Sequence, residues 1–195
     1  MTMGDESAFG MFETMGNDLV GGMEGDAMAG MFDAMGADNI GSIGGDALFD
    51  MMGNMDGSDF MTMGNESAFG MFETMGNDLV GGMEGDAMAG MFDAMGADHI
   101  GSIGGDALFD MVGNMGGSDF MSMGNESAFG MFETMGDDRV MGMDADAMGG
   151  MFGAMDHGDI SEMAGDTTFG AFETMGTEGF MDMGGTNMAG MFDSM

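Results

Sequence analysis

Apolar residues recur along the chain as Ala8, Met11, Phe12 and Met15, then as Met28, Met31, Phe32 and Met35. That spacing places each set on one face of a helix. Each run is preceded by an acid, at Glu6, Asp26, Asp46, Glu66, Asp86, Asp106, Glu126, Asp146 and Asp166. There a carboxylate suits the N-cap or first turn, meeting free N–H groups and the positive end of the helix dipole. Glycine follows the last methionine at Gly16, Gly36, Gly76, Gly96, Gly136 and Gly176, where a left-handed C-terminal cap is expected. The helices so defined are about 10 residues long, too short to be stable without packing.

A stripe of small residues runs beside the apolar face, as in Ser7, Gly10 and Thr14 or Ala27, Gly30 and Ala34. Glycine inside a helix costs about 1 kcal/mol relative to alanine, so its recurrence at Gly10, Gly30, Gly70, Gly90, Gly130, Gly150, Gly170 and Gly190 asks for a packing reason. Close lateral approach of neighbouring helices is the simplest one.

The segments between helices, 19–23, 39–43 and 59–63, carry nearly all the β-branched residues. They read as short strands, each pairing with its equivalent in the next repeat. The predicted fold is an α/β repeat solenoid of ten 20-residue units, each a short helix plus a short strand in a parallel stack. Two features count against strands: positions 20 and 23 have opposite strand parity, and glycine weakens a strand. An all-α repeat array is the alternative.

The period itself is strict. The pair Met11-Phe12 recurs at every twentieth residue to Met191-Phe192 without an insertion, as Met51-Met52, Met111-Val112 and Ala171-Phe172 where the residues vary. A longer period overlies it, since 3–60 and 63–120 differ only by Asp5 against Asn65, Asn39 against His99, Met52 against Val112 and Asp56 against Gly116. The chain is therefore read as a single repeat array over 1–195, with three copies at about 3–62, 63–122 and 123–182 and a partial unit at 183–195. In such arrays each unit stacks on its neighbours and shares one continuous core.

Composition narrows the partners. Lys+Arg number 1 against 36 Asp+Glu, a formal net charge of −35. Nucleic acid is excluded, because binding it needs cations to displace counterions from the phosphates, and anionic membrane surfaces are excluded likewise. No apolar run approaches the length of a membrane span, and no basic and apolar leader is visible. Zero cysteines remove disulfides and thiolate chemistry. Identical carboxylates repeated in every unit are the opposite of a unique catalytic constellation, so no enzyme activity and no catalytic residue is expected. His99 and His157 are not placed by the repeat and read as surface residues.

The 37 methionines admit two readings. Thioether pairs fall at Met61 and Met63, Met121 and Met123, Met28 and Met31, Met88 and Met91, and Met148 and Met151, spacings that suit a soft ion such as Cu(I) or Ag(I). Positions 28 and 31 also belong to the buried helix face, and Leu, Ile and Val are so few that Met and Phe have to build the core. Sacrificial oxidation is a third role. Among the acids, Asp18, Asp38, Asp78 and Asp98 are candidate Ca²⁺ ligands, and the Gly-Gly-Asp-Ala strings at Gly44 and Gly104 resemble type I secreted calcium-binding repeats in composition. That resemblance implies an extracellular, Ca²⁺-dependent protein. Those repeats have a nine-residue period, which this chain lacks.

Neither end of the array carries a visibly polar capping unit. An uncapped cross-section is self-complementary head to tail and propagates into filaments. The expected function is a structural, self-associating scaffold whose partner is itself, with no required cofactor, and secreted or cell-surface placement is slightly favoured. Soft-metal sequestration by methionine clusters is the alternative, and Ca²⁺-dependent repeat folding the next.

Overall fold

A computed structural model describes residues 4–194. Among these residues all regular structure is helical and no strand forms. The α/β solenoid is thus corrected to an all-helical repeat array.

Each unit folds as a long helix followed at once by a short one: Asp5–Met15 then Asn17–Val20, Gly25–Met35 then Ala37–Ile40, Asn125–Met135 then Asp137–Val140. The glycine between them makes the corner. Gly16 has φ 74° and ψ 163°, an extended mirror-image conformation open essentially to glycine alone, rather than the left-handed helical cap the sequence suggested. Because one residue absorbs the whole turn, the chain re-enters helix immediately. In Asn65–Val80 and Gly85–Ile103 the same corner, at Gly76 and Gly96, is a kink inside a continuous run.

The segments expected as strands are these short helices and their closing turns. Gly21 N–H donates to the Asn17 carbonyl at 2.8 Å and Met23 N–H to Val20 at 3.0 Å. Their β-branched residues serve as anchors: Val20, Ile40, Val80, Ile100, Val140 and Ile160 are all fully buried. The next apolar position lies three residues on: Met83, Met143 and Met163 are buried there too, while Met23, Ile43 and Ile103 are half-buried. A strand would have turned the two to opposite sides, whereas a helical turn brings them together.

The third and sixth units are built differently, whereas the ninth, Gly165–Asp182, keeps a glycine corner at Gly176. After Gly45–Met51 the chain tightens into a 3₁₀ turn at Met52–Asn54 and restarts at Gly57–Phe60 behind an Asp56 cap. Its counterpart runs as Gly105–Val112 and Gly117–Met121.

Two compact units result, Met1–Met95 and Gly96–Met195, dividing at the Gly96 corner. In the first, Phe32, Phe60 and Phe92 are fully buried with Met28, Met35, Met71, Met88 and Met91 around them. In the second, Phe120 and Phe152 take that place. Burying one such side chain contributes about 1.5–3 kcal/mol, more than the helices gain from their own propensity. Rings one repeat apart meet as the period requires: Phe72 and Phe92 at 6.3 Å, Phe132 and Phe152 at 5.9 Å, Phe172 and Phe192 at 6.4 Å.

Candidate functional site

The small-residue stripe has a definite partner, and it is not the adjacent helix. A Cβ added at Gly70 would come within 2.7 Å of the Ala37 methyl, and one added at Gly130 within 2.8 Å of the Ala97 methyl. At Gly90 it would overlap the backbone of Gly57, and at Gly150 that of Gly117. In each case the glycine of a long helix sits on the start of the short helix two units earlier. Polar contacts follow the same register: the Asn54 side-chain amide donates to the Gly21 carbonyl at 2.7 Å, 33 residues away, and Gly117 N–H donates to Asp146 Oδ2 at 2.7 Å. The carbonyls of Gly70 and Gly130 are held as well, with the Thr74 hydroxyl donating to Gly70 and the Thr134 hydroxyl to Gly130, both at 2.7 Å.

Gly10 and Gly30 are the exceptions. No atom of the described residues lies within 4 Å of a Cβ built at either, and both are exposed. On the same helix as Gly10, Met11 is 45 % exposed, while its equivalents Met71 and Met131 are fully buried.

The third unit type breaks the stripe differently. Asp50 stands where glycine is expected and, with Asn17, Asp18 and Met51, lines a gap of about 420 Å³. Beside it the 3₁₀ turn opens a second cavity of about 250 Å³, bounded by Phe49, Met52, Met55, Met83 and Glu84. Its sequence counterpart in the other compact unit, about 210 Å³, is bounded by Phe109, Val112, Met115, Met143 and Asp144.

The candidate thioether ligands are dispersed. Met28, Met31, Met88, Met91, Met148 and Met151 lie in the buried face of the long helices. Met61 and Met121 are 38 % and 48 % exposed, whereas their partners Met63 and Met123 are buried, so each close pair is split between water and core. Asp18, Asp38, Asp78 and Asp98 are exposed at the starts of separate short helices. Among the described residues no three His, Cys, Asp or Glu side chains come together as a metal-binding group. No described helix is long and apolar enough to cross a membrane.

The acids before the long helices occupy the first turn rather than the cap: Gly4, Glu24 and Gly44 are the caps, and none of the three makes a side-chain capping bond. Side-chain caps occur at Asp56, Asp144 and Asp156. Asp56 accepts from the Ser58 hydroxyl at 2.6 Å and from the Asp59 and Ser58 N–H groups, and these bonds hold its carboxyl below the usual range. Arg139 lies against Asp106 and donates to the Met135 carbonyl at 2.9 Å. His99 and His157 are half-buried rather than fully at the surface, and His157 Nδ1 lies 3.3 Å from the Thr186 carbonyl oxygen.

Three features escaped the sequence reading: the glycine register between long and short helices, the Asp56 cap and the Met52 cavity. The first is hidden because it is not a multiple of the repeat. The others had a signal in the Asn54-Met55-Asp56-Gly57 string, which stops a helix and restarts one.

Comparison with known proteins gives no match: no family model fits the chain, and no curated protein or solved structure is significantly similar to it.

Proposed function

We propose that the chain is a structural repeat protein that associates with copies of itself by continuing its own helix-on-helix register from one molecule to the next. The observation that supports this is the pair of unfilled glycine seats. Gly70, Gly90, Gly130, Gly150 and Gly190 are covered by short helices, and no described residue covers the equivalent face at Gly10 and Met11. The complementary surface is the start of the short segment after Gly176, where no described long helix takes the seat used at Ala37 and Ala97, while Gly179 further along lies against Gly149 of Ala145–Ala154. Thr177, in the register of Ala37 and Ala97, is exposed, and Met181 beside it is 70 % exposed. A second copy's Asp5–Met15 helix fits that position by the pairing already used within each compact unit. Such a contact is heterologous and therefore propagates.

Charge sets the condition. With a formal charge of −35 per chain, copies repel at low ionic strength. The screening length falls from about 30 Å at 0.01 M salt to about 8 Å at 0.15 M, so added salt promotes association. Sedimentation velocity tests this: the wild-type chain is expected to form species that grow with concentration and salt, and Gly10→Leu, which blocks the seat with a good helix former, to remain monomeric with unchanged circular dichroism. A wild-type chain that stays monomeric throughout, or a Gly10→Leu variant that assembles equally well, overturns the proposal.

A further inference from the structure

The cavity at the 3₁₀ turn goes beyond a scaffold role. It is lined by three methionines, Met52, Met55 and Met83, together with Phe49 and Glu84. All three methionines are buried where they line this space, and the cavity's volume of about 250 Å³ leaves room for an ion and a shift of the sulfurs. We propose that Met52, Met55 and Met83 form a binding site for one soft monovalent cation, Cu(I) or Ag(I).

The chemistry agrees at each contact. Thioether sulfur selects soft ions over hard ones, and three neutral sulfurs give a trigonal set. Methionine's three rotatable bonds let the sulfurs converge without moving the backbone. A monovalent ion among neutral ligands keeps its charge, and Glu84 in the same lining is the group that would offset it. The surrounding carboxylates raise the local concentration of any cation. None of the methionine pairs singled out by spacing has this arrangement, because Met61 and Met121 lie exposed while Met63 and Met123 are buried, and the other pairs belong to the packed helix face.

The chain contains its own control. In the counterpart cavity Val112 replaces Met52, leaving two thioethers, and Asp144 is engaged as a helix cap, accepting from Ala147 N–H at 2.9 Å. That cavity is expected to bind far more weakly. It also shows that valine fits the position, so Met52→Val leaves the fold intact.

The test titrates the full chain with silver nitrate, followed by calorimetry and by the carbon-13 methyl resonances of the methionines. One tight equivalent is expected, shifting the methyl signals of Met52, Met55 and Met83 ahead of exposed Met11, Met61, Met121 and Met181. Met52→Val should weaken that step by at least the roughly tenfold that losing even an outer partner of a metal ligand costs. Val112→Met should add a second tight equivalent. If Met52→Val binds like the wild type, or the first equivalent shifts exposed methionines only, the site does not exist. Assembly is read separately by sedimentation, so failure here leaves the scaffold reading standing.

Discussion

Glycine has two opposite roles in this chain, and substitution separates them. At Gly90 a methyl group would overlap the Gly57 backbone, which has nowhere to go. Gly90→Ala is therefore expected to cost about 1–3 kcal/mol, the usual penalty of overpacking. Gly30 has the same sequence environment, and no neighbouring segment among the described residues comes within 4 Å of a Cβ built there. Gly30→Ala should instead stabilise the monomer by about 1 kcal/mol through helix propensity. Thermal melts of the two variants should move in opposite directions; a shared sign would refute the seat. Asp56 makes a pH prediction. Its carboxyl is held below the usual range, chiefly by the Ser58 hydroxyl, so its cap contributes fully above the ordinary carboxylate value and is lost as pH falls through the depressed one. Protection of the Ser58 and Asp59 amides, taken relative to the intrinsic exchange rate at each pH, should fall in acid, while the counterpart Ser118, behind Gly116, has no such cap to lose. Equal acid sensitivity at both places would contradict this.

Each short helix depends on one buried side chain, and that dependence explains what the sequence did and did not reveal. The long helices were legible because their apolar spacing, acidic first turn and terminal glycine agree. The short ones read as strands because Val20, Ile40 and Val80 are β-branched, yet a single anchor in a one-turn helix tolerates branching as readily as a strand does. Spacing between positions 20 and 23 already favoured the helix. Ile40→Ala should cost about 2–5 kcal/mol, as for other large-to-small core changes, and should loosen Ala37–Ile40 against Asn65–Val80. A melt indistinguishable from that of the wild type would show that this short helix does not anchor its neighbours. The partner of the glycine stripe was not legible at all. A strict repeat reveals which positions are equivalent, but not a contact such as Gly57 with Gly90 that falls between multiples of the period. That contact depends on how the 3₁₀ turn and the Asp56 cap place the start of Gly57–Phe60.

In each compact unit a core of methionine and phenylalanine is wrapped in carboxylates with almost no opposing charge. Arg139 is the lone fixed cation, and its exposed pairing with Asp106 contributes at most about 1 kcal/mol. Self-repulsion therefore opposes the folded state, and raising NaCl from about 0.01 M to 1 M, which shortens the screening length about tenfold, should raise the melting temperature. A melting temperature indifferent to salt would mean that the charges are spread too widely to matter. Repulsion and an open glycine seat together make association conditional on ionic strength. The seat depends on long helices resting on short helices two units earlier. Nuclear Overhauser contacts between the α-protons of Gly57 and Gly90 in a segmentally labelled chain report that register directly. Strong cross-peaks there, and between Gly117 and Gly150, are predicted; their absence, with cross-peaks instead between backbone atoms one repeat apart in extended segments, would restore the strands and remove the seats.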